Sequence, residues 1–242
     1  MLRVFHPGPW PALGGELVLA ADESSHLVRV RRARVGEAVA VLDGNGGVAD
    51  GTLTGDSAHA ARVRIEKITR HPAPAARVLA VGLPKGDVFV EIIRQATELG
   101  ATALQPLYTA HTEVHLDPAR AARKLDRWRA TALESCKQSG NPWLPEIHVP
   151  IELAKWLKTL PAKNDKTLHL VAALTPNSIP ISQLQTVNRK LETLVVIGPE
   201  GDFSPAEYQL FEQAGFTPIR LPGHVLRVET ACVVALAGLN QL

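Results

Sequence analysis

At His71-Pro72-Ala73-Pro74-Ala75 the chain changes rhythm, from short segments of period two to strands alternating with helices. A proline-rich extended stretch continues neither a helix nor a central strand, so it reads as a linker and divides the 242 residues into domains over 1–72 and 73–242. Ahead of it, segments 3–6, 16–19, 38–42, 47–54 and 61–68 are expected as strands separated by turn signals. In the last of them Val63, Ile65 and Ile68 are apolar while Arg62, Arg64 and Lys67 are polar, close to the alternation of a half-buried strand. These segments imply a small β-barrel. Gly44-Asn45-Gly46-Gly47 lies between two of the strands and no helix follows it, so it is a hairpin loop rather than a phosphate cradle.

Beyond the linker, 77–83 is a buried-strand run, and Asp87 can cap a helix whose Phe89, Ile92, Ile93, Ala96 and Leu99 follow the helical period up to Gly100. A strand over 103–108 follows. Asp117-Pro118 opens a second helix that reaches about Ser139 and stops at Gly140-Asn141-Pro142. Segments 167–174 and 193–197 are further strands, and Ser204-Pro205-Ala206-Glu207 is a capping box whose helix ends at Gly215. A short strand over 218–221 and a helix over 229–239 complete the pattern. Strand and helix in alternation imply a mainly parallel sheet covered on both faces, an α/β domain.

Hydrophobic residues make up 45% of the chain and charged residues 21%, enough for a real core. With 26 Lys and Arg against 24 Asp and Glu the formal charge is only +2, so any nucleic-acid site must be a local patch. Cys136 and Cys232 form no CxxC, which signals neither a disulfide framework nor a thiolate zinc site and makes a reducing cytoplasm the expected compartment. No charged-then-apolar leader opens the chain and no run of about 18 apolar residues occurs, so neither secretion nor membrane spanning is expected.

There is no P-loop and no GxSxG elbow. His111 and His115 are four apart, but β-branched Thr112 and Val114 and their place ahead of the Asp117 cap favour solvated loop histidines over a metal site. Cys136, inside an expected helix, reads as a packing residue. Two basic clusters carry more. Arg29, Arg31, Arg32 and Arg34 put four guanidiniums in six residues, just after His26; Arg120, Arg123, Lys124 and Arg127 form one helical stripe. Either could hold an RNA backbone or be a solvated face; together, in a nearly neutral chain, they lean towards nucleic acid. Near the C-terminus, 197–204 reads as a strand end running through a glycine loop into a helix N-terminus, the place where open sheets bind ligands. Glycines there would let a ligand approach the backbone, although an ordinary turn with a capped helix has the same pattern.

Five segments, Gly82-Leu83-Pro84-Lys85-Gly86-Asp87, Ala96-Thr97-Glu98-Leu99-Gly100, Glu134-Ser135-Cys136-Lys137-Gln138-Ser139-Gly140, 197–204 and 226–231, with His26, Arg29 and Arg32, resemble in order and spacing the RsmE family. These are 16S ribosomal RNA uridine N3-methyltransferases of the SPOUT class. The resemblance implies a C-terminal SPOUT-type α/β knotted domain, with a deep trefoil knot, preceded by a small PUA-like RNA-binding β-barrel. It also implies S-adenosyl-L-methionine as cofactor, 16S rRNA of the small subunit as partner, and a homodimer whose active site includes both subunits. No metal and no membrane partner are expected. Cofactor binding carries over to Ile197, Gly198, Pro199, Glu200 and Gly201 in one knot loop and to Leu221, Gly223 and Leu226 around the other; RNA binding is expected of Arg29, Arg32, Lys85, Arg120, Arg123 and Lys124. Arg227, Glu229 and Thr230 match the family's signature before the last helix. Where the family usually has a second glycine after Gly201 this chain has Asp202; His224, Val228 and Asn141 also depart from its common residues.

On this resemblance Arg227 would stabilise negative charge on uracil as N3 loses its proton, by oxyanion-hole logic. Glu229 would be a base or an orienting group, or simply a carboxylate favoured at a helix start. Two rivals remain at this point: a catalytically silent RNA-binding assembly factor, and a SPOUT enzyme acting on a ribose hydroxyl or on tRNA.

Overall fold

The computed structural model describes residues 1–161, 165–184 and 191–239. The chain divides into two units, Met1–Ala73 with Leu133–Leu144, and Pro74–Ala132 with Pro145–Leu242.

The first unit is built on a five-stranded sheet of β1 (Leu2–Phe5), β2 (Glu16–Val18), β3 (Ala38–Leu42), β4 (Gly47–Gly55) and β5 (Arg62–Arg70), in the order β1-β3-β4-β5-β2. Only β1 and β3 run parallel. In β5, Val63 and Ile65 are fully buried while Arg62, Arg64 and Glu66 face out, as period two requires. A register shift between Asp50 and Gly51 takes up one extra residue of β5 and sets Ile68 opposite buried Ala49, although Ile68 itself remains 37% exposed. Between β2 and β3 lie the short helix α1 (Ala21–Ser25) and a π-helical turn, His26–Val30. The β3–β4 connection is a hairpin loop with Gly44 and Gly46 at φ +75° and +82°, and Asp43 Oδ1 accepts from the amides of Asn45 and Gly47 at 2.8 and 2.7 Å.

Segment 133–144 joins this unit by charge as well as by packing. Arg3 donates to the carbonyls of Lys137 and Gln138 at 3.2 and 2.7 Å, occupying acceptors that a helix end leaves free. Lys137 Nζ lies 2.6 Å from both Glu23 and Glu134, and the Lys137 and Glu23 side chains are only 6% and 9% exposed. Burial alone would lower the lysine pKa, but the hydrogen bonds to Glu134 and Glu23 outweigh it and hold the group above its ordinary value. Glu23 is further fixed by the amide of Phe5, 3.1 Å from Oε2.

The second unit contains β6 (Arg77–Gly82), α2 (Val88–Glu98), β7 (Ala103–Tyr108), the first part of α3 (Pro118–Ser139), β8 (Glu146–Ile147), β9 (Ile151–Glu152), α4 (Leu153–Leu157), β10 (Thr167–Ala172), β11 (Ile179–Pro180), β12 (Glu192–Ile197), α5 (Pro205–Gln213), β13 (Thr217–Arg220) and α6 (Val228–Leu239). Its strands pair in parallel in the order β11-β13-β10-β12-β6-β7-β8, with β9 also on β7. Such a sheet must bury both faces, and β6 shows it: Leu79 and Val81 pack with α2 and α6, while Ala80 and Val78 pack with the cluster of Trp156, Phe203, Phe211 and Phe216.

Of the three helix caps expected from sequence, two form. Asp117 Oδ1 accepts from the Arg120 amide at 2.8 Å, and Ser204 and Glu207 form the reciprocal capping box of α5. Asp87 stands at the start of α2 but does not cap it. Its two carboxylate oxygens instead take both terminal nitrogens of Arg127, each at 3.0 Å, because a bidentate guanidinium outcompetes a single amide.

Lys137→Met should lower the unfolding free energy by about 3–5 kcal/mol, because Glu23 would remain buried without its counter-ion. Adding Glu23→Gln should recover most of that, since the amide oxygen still accepts from Phe5. Urea unfolding of parent, single and double variants measures the difference; a single variant as stable as the parent would show that the pair contributes nothing.

Candidate functional site

Parallel pairing brings the carboxyl ends of β10, β12 and β13 to one side of the sheet, where α2 and α6 begin. A cavity of about 510 Å³ lies there. Its walls are Ala172 to Leu174 after β10, Ile197 to Glu200 with Asp202 after β12, Leu221 and the 224–227 loop after β13, Val88 of α2, and Val228, Glu229 and Ala231 of α6.

Of the residues singled out from sequence, Ile197, Gly198, Pro199, Glu200, Leu221, Leu226, Arg227 and Glu229 line this cavity together. Gly201 and Gly223 are not on its wall. Gly223 is exposed at φ +98°, a backbone conformation that suits glycine. At Gly201 a β-carbon would lie 2.9 Å from His111 Cβ, and at Gly198 one would lie 3.0 Å from Asp202 Oδ1. These two positions are therefore kept small by the protein's own side chains, a different reason from the ligand approach expected above. Gly82 belongs to the same arrangement: at the end of β6, beside the Val81–Ile197 pair, a β-carbon would lie 2.7 Å from the backbone nitrogen of Pro199.

Neighbouring loops are tied to the cavity wall. The Lys85 amide donates to Glu200 Oε1 at 3.2 Å, Lys85 Nζ pairs with Glu113 at 2.8 Å, and Ala110 N donates to Glu207 Oε1 at 2.8 Å. The hydrogen bond to Glu113 raises the lysine pKa above its ordinary value. His111 Nδ1 lies 3.0 Å from the Asp202 carbonyl, which can only accept, so this nitrogen carries the proton. His115 stacks on Tyr108 at 5.0 Å. By contrast, neither Arg227 nor Glu229 has an ion pair or a side-chain hydrogen bond among the described residues, so both charges are free to meet something in the cavity.

The basic clusters differ in how free they are. Arg29, Arg31, Arg32 and Arg34 are all exposed on the π-helical turn and the loop after it, without ion pairs among the described residues. In the α3 stripe, Arg120 is paired with Asp117 and Arg127 with Asp87, leaving Arg123 and Lys124 as its available cations. Both cysteines are buried, and desolvation pushes the Cys136 thiol up to about 12 and raises the Cys232 thiol as well, so neither is a ready nucleophile. Among the described residues no group of three or more His, Cys, Asp or Glu could hold a metal ion, and no described helix is long and apolar enough to cross a membrane.

Sequence reasoning missed Val88, Ala172, Ala173, Leu174 and Val225 as wall residues. A signal existed for 172–174, because they follow a strand end on the ligand side of an open sheet. Nothing in the local pattern marks Val88 or Val225.

Residues 71–240 match the RNA methyltransferase domain family, and residues 19–66 match the RNA methyltransferase PUA domain. The chain is 35% identical over 236 residues to the ribosomal RNA small subunit methyltransferase E of Synechocystis sp., covering 97% of this chain and 76% of the relative. It is 30% identical over 230 residues to the Bacillus subtilis protein of the same name, covering 92% and 88%. Among solved structures, the Neisseria gonorrhoeae ribosomal RNA small subunit methyltransferase E bound to S-adenosyl methionine superposes with a TM-score of 0.86 at 26% identity, over 100% of this chain and 97% of the other. A Legionella pneumophila protein in complex with the bound cofactor SAM gives 0.86 and 26% over 99% and 97%.

Gly82→Ala should force the β12 loop away from β6 and cost about 1–3 kcal/mol, the usual range for overpacking. The thermal midpoint should fall; an unchanged midpoint would show that Pro199 yields freely.

Proposed function

Since this chain belongs to the family of the ribosomal RNA small subunit methyltransferases E, with that family's SPOUT-type knotted α/β domain behind a PUA-like barrel, we propose that it transfers a methyl group from S-adenosyl-L-methionine to N3 of one uridine in 16S rRNA. The observation that carries the chemistry is the pair of charges without partners among the described residues, Arg227 and Glu229, on the wall of a cleft at the strand ends. A silent assembly factor would have no need to keep both groups free there.

The cleft fits the cofactor. About 510 Å³ lies within the roughly 300–1,000 Å³ of small-molecule sites. Its apolar side chains, among them Ile197, Leu221 and Leu226, suit an uncharged ring, and the Glu200 and Glu229 carboxylates suit a cation. Ile197, Gly198, Pro199, Glu200, Leu221 and Leu226 would hold it; Gly201 and Gly223 act by shaping the loops. When bound, S-adenosylmethionine supplies a methyl group on a sulfonium.

The remaining work falls to this chain. The new bond joins uracil N3 to the methyl carbon as the sulfur–carbon bond breaks, and the N3 proton must leave. Arg227 stabilises the negative charge that this proton's loss places on the uracil carbonyl oxygens. Glu229 takes the proton or orients the base, and its position in the first turn of α6 also favours a carboxylate. Exposed Arg29 and Arg32, with Arg123 and Lys124, neutralise rRNA phosphates. Lys85 and Arg120 are committed to Glu113 and Asp117 and contribute less. Leu174 and Val225, 63% and 81% exposed on the cleft wall, suit closure by a second copy, the homodimer we propose.

The reading is tested by mass spectrometry of 16S rRNA from a strain lacking the gene. Loss of one 3-methyluridine is expected, whereas loss of a ribose methylation, or of nothing, would overturn it.

Arg227→Ala should depress turnover on small subunits by about a hundredfold or more while raising the apparent KM for RNA far less, and Arg227→Lys should recover little because an ammonium lacks the planar fork. Single-turnover methylation with labelled cofactor measures this; a normal rate at saturating RNA would reduce Arg227 to a phosphate anchor.

Replacing Arg29 and Arg32 by alanine should flatten the plot of log affinity against log salt by about 0.7–0.9 for each phosphate no longer neutralised, with cofactor affinity unchanged. An unaltered slope would return this turn to a solvated surface.

A further inference from the structure

Asp202 occupies a backbone position that side chains normally avoid. Its φ is +60°, the left-handed region, and Arg32 is the only other non-glycine residue with positive φ among those described. An aspartate tolerates this conformation best when its carboxylate is bound locally, and here Oδ1 accepts from the Phe203 amide and from the Tyr208 hydroxyl, each at 2.8 Å. The Asp202 amide closes a turn on the Pro199 carbonyl at 2.9 Å. Tyr208 stands in the first turns of α5, whose start is fixed by the Ser204–Glu207 box, and packs edge-on to Phe203 at 5.7 Å. The carboxylate rests against the space beside Gly198, and both residues line the cleft.

We propose that Asp202 and Tyr208 are a positioning pair: the tyrosine hydroxyl holds the carboxylate, the carboxylate holds the left-handed turn, and the turn holds the Gly198–Glu200 wall in its cofactor-binding shape. This rests on the cofactor reading above. Burial and the nearby Asp202 push the Tyr208 hydroxyl pKa upward, so it stays a donor at any working pH. Glycine at 202 would adopt the turn with no Cβ penalty and would need no tyrosine. The strain and its remedy therefore form one unit, and the effects of changing them should not add.

The test is calorimetric titration of the full-length protein and its variants with S-adenosylmethionine, with kcat and KM for the cofactor measured on small ribosomal subunits and a thermal melt for each variant. Tyr208→Phe should weaken binding about tenfold and raise KM alike, with kcat nearly unchanged, as expected for removal of one charge-assisted hydrogen bond. Asp202→Ala, which keeps the Cβ and loses the anchor, should weaken binding at least as much. Asp202→Gly should bind nearly as well as the parent, and adding Tyr208→Phe to it should change nothing further. Equal loss in Asp202→Gly and Asp202→Ala would overturn the proposal by showing that the carboxylate touches the cofactor itself. Parent-like binding by Tyr208→Phe, or a Tyr208→Phe loss that persists in the Asp202→Gly background, would overturn it too. A parent protein that takes up no S-adenosylmethionine would instead remove the cofactor reading, and the pair with it.

Discussion

Parallel hydrogen bonding between β6, β12, β10 and β13 sets where every group in the cleft can be. Val81 lies beside Ile197, and Ala172 beside Ile219, so the four strands finish at nearly one level and release their loops into the same space. Because β13 is inserted between β10 and β11, the loop after it returns to the cleft and delivers Leu226, Arg227 and the start of α6. The two buried faces make that register hard to slip. A one-residue shift of β6 would exchange Leu79 and Val81 with Val78 and Ala80, which pack in different clusters.

Close approach is the second condition, and it explains which small residues matter. Gly82 is small because Pro199 passes it, Gly198 because the Asp202 carboxylate rests there, and Gly201 because His111 does. The loops are thus shaped mainly by one another, through the Lys85–Glu200, His111–Asp202 and Ala110–Glu207 hydrogen bonds, before any ligand arrives. Such cross-ties reduce the ordering cost of binding. They also engage Glu200 and Asp202 on the cleft wall, whereas Arg227 and Glu229 have no ion pair or side-chain hydrogen bond among the described residues.

Much of this architecture is legible in the chain, because its signals are local. The strand alternation at Val63 and Ile65, the helix period through Phe89, Ile92, Ile93 and Ala96, and the Ser204–Glu207 box each depend on residues within a few positions of one another. What escapes is set by distant partners. Lys137 and Glu23 are 114 residues apart, so nothing near Lys137 announces a buried ion pair or the attachment of 133–144 to the first unit. Asp87 has a capper's chemistry and position, yet Arg127, 40 residues on, claims it. Two-residue strands such as β8, β9 and β11 are too short to carry a period. The knot and the cofactor have no local signature, because a threaded chain is a rare topology that no short-range residue pattern announces.

Charge distribution completes the connection between fold and substrate. With a formal charge of +2 the chain has no global field to draw a polyanion, so attraction must come from cations that are both exposed and unpaired. The helical stripe shows how pairing disarms a cluster: Asp117 and Asp87 hold its two ends, leaving Arg123 and Lys124 between them. The 29–34 cluster is the opposite case. The π-helical turn and the left-handed residue Arg32 compress four arginines into a short exposed bend whose guanidiniums have no ion pair among the described residues. The planar guanidinium fork matches phosphate oxygens, and each phosphate so neutralised would release condensed counterions from RNA. On the function proposed above, affinity for the polyanion would rest on these surface arginines, while Arg227 and Glu229, on the wall of the cleft, would meet the base whose charge changes during reaction.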